Sequence, residues 1–189
     1  RVRALRYKEI KELEQNFIDA AERVKKAGCD GVELHASHGY LLQQFLSPYT
    51  NQRTDEYGGN LENRMRFLLN ILRGIKDRCG KEFPVIVRLT ADECYEMVGQ
   101  KGKGYTLEDG VKIAKALEAN GADAIDVSSA GYDAFNYWLE PVSFEPGWRK
   151  YMAKAIKDAV NIPVMAANLI RSPEQAEQQL KDAQALLAV

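Results

Sequence analysis

A chain of 189 residues, 46% hydrophobic and 28% charged, has an ordinary globular composition and enough length for a sizeable core. Its net charge of -1 lacks the basic footprint of a nucleic-acid binder, and no apolar run approaches the ~18 residues of a membrane span. Arg1-Val2-Arg3 opens no secretory signal pattern, and the three cysteines Cys29, Cys79 and Cys94 form no CxxC pair. They read as buried or half-buried fillers and point to a reducing, cytoplasmic setting.

In chain order, Ile10, Leu13, Phe17, Ala20, Ala21 and Val24 keep helical spacing, with Gly28 just past the end. Cys29 to Ser37 reads as a strand that leads into His35, His38 and Tyr40, followed by a long polar loop. Leu61, Met65, Leu68, Leu69, Leu72 and Ile75 mark a second helix, with Asn60 as its N-cap and Gly80 as its stop. Pro84 to Leu89 is a second strand, apolar until Arg88. Thr106-Leu107-Glu108-Asp109 resembles a capping box that opens a helix running to Gly121. Asp123 to Ser129 is a third strand, Tyr151 to Val160 a helix, and Pro163 to Ala167 a fourth strand. Pro173 to Ala183 is a helix, and Ala185 to Val189 the start of a fifth strand.

Two internal echoes support a repeated βα architecture: Ala27–Leu34 resembles Asn120–Val127, and Ile75-Lys76-Asp77 resembles Ile156-Lys157-Asp158. Near-continuous apolar strands separated by helices mean a parallel sheet covered by helices. No GxGxxG follows any strand, which disfavours a dinucleotide-binding Rossmann domain. The fold class is α/β, and a (β/α)8 TIM barrel fits best. A barrel needs eight strands and about 250 residues. Residues 1–189 are therefore expected to form one incomplete barrel domain of about five βα units, lacking about three units in front and a closing helix behind.

Read on their own, the polar residues leave choices open. His35 and His38, three apart at a strand exit, could pack, could hold a metal, or could face one cavity and donate hydrogen bonds to a single substrate oxygen. Tyr40 could pack the loop or act as a proton donor, since a phenol with an ordinary pKa of about 10 keeps its proton at neutral pH. Arg88, a lone positive charge at a strand end, demands an anionic partner; Glu33 and Asp126 are the structural candidates. Asn51 to Arg66 reads as architecture, tied by Arg53, Asp55 and Arg64 around Gly58-Gly59. Asp92 and Glu93 read as a solvated loop or helix start. The aromatic-rich segment Tyr132 to Trp148 suits substrate selection, a folded lid or an interface patch.

One stretch carries a resemblance. Gly28-x-Asp30-Gly31-Val32-Glu33-Leu34-His35-x-x-His38-Gly39-Tyr40-Leu41, then Phe45-Leu46-Ser47-Pro48, Asn51-x-Arg53-x-Asp55-Glu56-Tyr57-Gly58-Gly59 and Glu62-Asn63-Arg64-x-Arg66-Phe67, resembles the Old Yellow Enzyme family of FMN-dependent ene-reductases. Val87 to Glu93 is similar to that family's next strand, and the likeness continues more loosely to Pro163-Val164. Glu140-Pro141 and Glu145-Pro146-Gly147-Trp148 are similar to the long enoate, dienoyl-CoA and bile-acid-type reductase branch.

The resemblance implies an NAD(P)H-dependent flavoprotein that reduces an activated C=C bond. It implies that His35 and His38 hold the substrate carbonyl, that Tyr40 protonates the α-carbon, and that Arg88 faces the flavin ring. It also implies a place near the FMN phosphate for Ala167 and Asn168, although Ala166–Leu169 departs from the glycine that many relatives carry there. The reductant would be NADH or NADPH and the substrate a small unsaturated carbonyl compound, with no nucleic acid or membrane partner. A homo-oligomer or further domains of a longer chain are also expected, and an iron–sulfur cluster would fall after this chain. The rival readings are an inactive barrel fragment needing missing strands or a partner, and a non-flavin barrel for a phosphorylated metabolite.

Overall fold

The structure, a computed structural model, describes residues 3–167 and 169–182. Its strands are β1 (Val32–Ala36), β2 (Val85–Thr90), β3 (Ala124–Ser128) and β4 (Val164–Ala166). Its helices are α1 (Tyr7–Lys26), α2 (Leu41–Leu46), α3 (Leu61–Cys79), α4 (Leu107–Ala119), α5 (Lys150–Lys157) and α6 (Pro173–Lys181). The four strands lie parallel in the order β1-β2-β3-β4. Each strand thus pairs with the next one in the chain, and helices fill the connections. This is part of a (β/α)8 barrel. The expected fifth strand, Ala185 to Val189, lies outside the described residues, as do Asn168 and Ala183.

Strand periodicity separates two faces. Leu34, Ala36, Val85, Val87, Leu89, Ile125, Val127, Val164 and Ala166 are buried toward the helices. There they meet Phe67, Leu68, Ile71, Ile75, Ile113, Leu117 and Ile156. The alternate positions Glu33, His35, Ile86, Arg88, Asp126 and Met165 are half-buried or exposed. The core therefore lies between sheet and helices, and the other face is where polar residues can be placed without burying unpaired charge.

Four local expectations need correction. Residues after Tyr40 form the helix α2 rather than continuing as loop, because Leu42, Phe45 and Leu46 bury one side of it. Thr106 caps α4 without a side-chain hydrogen bond; Asp92 Oδ2 accepts from Leu107 N at 3.0 Å instead. Glu93 is not solvated: it is 4% exposed, for reasons that the site makes clear. Cys29 is exposed, whereas Cys79 and Cys94 are buried as fillers.

The segment 51–66 is architectural, as its sequence suggests. Asn51 Nδ2 donates to the carbonyls of Phe45 and Tyr57, both at 2.7 Å. Arg64 donates to the carbonyls of Leu46 and Gly59, and Arg53 pairs with Asp55. A Cβ at Gly58 would overlap the Arg53 carbonyl, so only glycine closes this turn. Among the described residues no helix is long and apolar enough to cross a membrane.

Candidate active site

Strand register builds the centre of the site. His35 pairs with Arg88, Arg88 with Asp126, and Asp126 with Met165. These four side chains therefore stand on one face at one level, one strand spacing apart. Arg88 Nε lies 3.2 Å from Asp126 Oδ2, so of the two structural candidates Asp126 is the partner. The approach is out of line, however, and Arg88 Nε is buried without a hydrogen bond. A guanidinium N–H so misaligned with its carboxylate can still serve a better-placed acceptor on this face.

His38 does not continue the strand. Its φ of 61° is left-handed, and Gly39 follows at 76°, which turns the chain back over the end of β1. A non-glycine residue in this region carries roughly 1–3 kcal/mol of strain. Three contacts hold the turn: His38 N donates to Thr90 Oγ1 (3.2 Å), Tyr40 N to the Ser37 carbonyl (3.2 Å) and Gly39 N to Gln43 Oε1 (2.5 Å). The turn brings the three predicted residues together. The His35 and His38 ring centroids are 5.0 Å apart, and His35 and Tyr40 are 5.2 Å apart. Tyr40 is 43% exposed, and its side chain hydrogen-bonds that of Tyr132.

Aromatic residues from the loop after β3 roof the turn. Trp138 stacks on His38 at 4.7 Å and meets Tyr40 edge-on at 6.2 Å. Tyr132 and Phe135 lie edge-on against Trp138 at 5.2 and 5.4 Å. A second cluster, Tyr137, Phe144 and Trp148, packs separately within the same loop.

Electrostatics favour neutral histidines. Burial, then repulsion by Arg88, lowers the His35 pKa. The same two effects, with His35 and Arg149 adding repulsion, lower that of His38 to about 3. A neutral imidazole has one N–H, and His38 Nε2 is already 2.6 Å from Ser128 Oγ. If Ser128 donates that bond, His38 Nδ1 carries the free N–H. Burial raises the carboxyls of Glu33 and Asp126; the Asp126 charge adds to the first effect and Arg88 opposes both.

Arg149, Ser128 and Gln43 complete the site and were not singled out in the sequence. Arg149 is buried, ion-paired with Glu140 at 2.9 Å and hydrogen-bonded to Ser129 Oγ and the Ala167 carbonyl. Burial lowers its pKa and Glu140 opposes this. Ala167 is thus half-buried at the end of β4 with its carbonyl already occupied; Asn168 lies outside the described residues. A signal for Ser128 was available, because period two places it on the Asp126 face. Gln43 and Arg149 carry no such local sign. No group of three or more His, Cys, Asp or Glu suited to a metal ion occurs among the described residues.

Parallel strands with helices between them, and polar residues collected at the strands' C-terminal ends, define a protein of the (β/α)8-barrel enzyme class. The chain belongs to the NADH:flavin oxidoreductase / NADH oxidase family, whose profile matches residues 1–189. It is 48% identical over 183 residues to an NADH oxidase of Thermoanaerobacter brockii, covering 97% of this chain and 27% of that protein. It is 39% identical over 182 residues to a cinnamate reductase of Clostridium sporogenes, covering 91% and 27%. An Old Yellow Enzyme homologue of Zymomonas mobilis superposes with a TM-score of 0.75 at 29% identity, covering 97% of this chain and 48% of that one. The chain therefore spans about a quarter of the length of these two curated relatives and about half that of shorter ones.

Proposed function

We propose that this chain carries catalytic and FMN-binding residues of an ene-reductase that takes its reducing equivalents from NADH or NADPH. The observation that carries the reading is the convergence of His35, His38 and Tyr40 within about one ring width at the end of β1, beside Arg88. The residues suit a flavin: the buried Arg88 Nε lacks a hydrogen bond and would meet the electron-rich edge of the ring, with Ala167 near the phosphate end. When bound, the flavin supplies a hydride to the β-carbon of a polarised alkene. His35 and His38, as neutral donors, hold the substrate carbonyl oxygen and stabilise the negative charge that grows there. Tyr40 holds a phenolic proton for the α-carbon, with Tyr132 as its hydrogen-bond neighbour. Trp138, Tyr132 and Phe135 provide an aromatic wall beside the turn. The reduction of cinnamate named for one relative is chemistry of this kind, an alkene conjugated to a carboxyl group.

The test is a visible absorption titration of the chain with FMN, followed by anaerobic NADH and then an α,β-unsaturated ketone. A bound-flavin spectrum that bleaches with NADH and returns with the ketone supports the reading. Bleaching without return would leave a flavin oxidoreductase that does not act on C=C bonds. Failure to bind FMN would favour the inactive-fragment reading, which the uncovered inner face of the four-stranded sheet makes a specific rival.

A further inference from the structure

A buried carboxylate lies behind the His38–Tyr40 turn and takes no part in the chemistry above. Glu93 follows β2 and is 4% exposed. Its Oε2 accepts from Tyr105 N (2.7 Å) and Ser47 Oγ (2.8 Å), and its Oε1 accepts from Gln43 Nε2 (3.2 Å). The other end of the same amide, Gln43 Oε1, accepts from Gly39 N and from Thr90 Oγ1. Gln44 Nε2 donates to the Gly39 carbonyl at 2.7 Å. Both polar groups of the Gly39 backbone are thus held by α2, and the orientation of one holder is fixed by Glu93.

We propose that Glu93 is a positioning residue that sets, through Gln43, the placement of the His38–Gly39–Tyr40 turn. Its consequence for turnover rests on the reading of Tyr40 as proton donor; the link to the turn does not. An amide can offer oxygen to Gly39 only while its nitrogen faces an acceptor, and ionised Glu93 is that acceptor. Protonation spoils the Gln43 bond first, because Oε2 already accepts two shorter bonds and Oε1 only the long one. The flipped amide would then aim N–H at the N–H of Gly39, which loosens the turn.

Burial raises the Glu93 pKa to about 7, against the opposing bonds from Tyr105 N, Ser47 and Gln43. Asp92 adds repulsion; Arg64 on α3 attracts; Cys94, Tyr95 and Tyr105 complete the ionisable neighbours. A cavity of about 200 Å³, lined by Gly39, Gln43, Glu93, Tyr95, Tyr132 and Asp133 among others, gives protons a route in.

His38–Gly39 is the sole His–Gly pair in the sequence. Carbonyl-13C histidine with 15N glycine in the full chain therefore selects the Gly39 amide. Its nitrogen shift, followed from pH 5 to 9, is expected to trace a sigmoid with a midpoint near 7. The sigmoid should vanish in Glu93→Gln and in Gln43→Met, the latter leaving the Tyr105 and Ser47 bonds intact should the former not fold. A flat parent curve, or the same sigmoid in Glu93→Gln, overturns the proposal. In turnover, kcat should fall below pH 7 in the parent, and Glu93→Gln should lower it roughly tenfold at pH 8 with little change in KM. A titrating amide with a pH-independent kcat would overturn the catalytic consequence. A titrating amide in a protein that reduces no alkene would sink the ene-reductase reading and leave the positional link standing.

Discussion

At the scale of single residues, the site turns on which nitrogen of His38 is free. With a pKa of about 3, the ring stays neutral through the working pH range, so it offers one N–H. Where Ser128 Oγ, 2.6 Å from Nε2, donates, that N–H sits on Nδ1. Ser128→Ala removes the partner and lets both tautomers form. Imidazole 15N shifts of His38 should therefore change from a single Nδ1–H form to a mixture, and an unaltered spectrum would show that Ser128 does not select the tautomer. On the proposed reading, His38→Ala removes a donor to the developing charge altogether. The expected loss is about 10²–10³ in kcat, with the FMN dissociation constant unchanged within a few fold. Tyr40→Phe separates the two half-reactions: flavin reduction by NADH should proceed at the parent rate, and alkene-dependent reoxidation should slow. Equal slowing of both halves would remove Tyr40 from the role of proton donor.

At the scale of elements, a loop side chain does work that the sequence attributed to a helix's own cap. Asp92 Oδ2 accepts from Leu107 N (3.0 Å), and its Oδ1 accepts from Cys94 N (2.6 Å). Thr106, at the N-cap position, makes no side-chain cap bond. Asp92→Ala is therefore expected to cost about 1–2 kcal/mol of stability, as loss of a helix cap does, and Thr106→Ala a few tenths. The reverse order in denaturant melts would restore Thr106 as the cap. The reason is tertiary: Ala130 N donates to the Asp92 carbonyl at 2.8 Å, anchoring the loop after β2 beside that after β3 and so over the start of α4. Sequence spacing marks where α4 begins but not which distant side chain reaches it. By contrast, the Asn60 cap of α3 forms as its local pattern suggests, with Asn60 Oδ1 accepting from Asn63 N at 2.9 Å.

At the scale of the whole molecule, the alternation of strand and helix and the parallel sheet were legible because they follow from hydrophobic period alone. His35, His38, Tyr40 and Arg88 were legible as polar residues at the ends of apolar strands, but their roles came only from the family resemblance. Glu93, Gln43 and Arg149 were not, since each is buried by partners from other parts of the chain: Glu93 by Ser47 and Tyr105, Arg149 by Glu140 and Ala167. Two such burials set the pH dependence of folding in opposite senses. His38, depressed from 6.5 to about 3, contributes stability that is present above pH 6.5 and is lost as pH falls toward 3. Glu93, raised from 4.5 to about 7, contributes stability that is complete below pH 4.5 and is lost as pH rises through 7. The two slopes oppose each other between pH 4.5 and 6.5, where the melting temperature should be nearly flat. Above pH 6.5 His38 has largely stopped titrating, and the remaining Glu93 loss, below about 1 kcal/mol, dominates. Glu93→Gln cannot ionise, so its melting temperature should hold steady between pH 6.5 and 8.5 while that of the parent falls. Parallel curves for parent and variant across that window would mean that Glu93 is already ionised in the fold at pH 6.5.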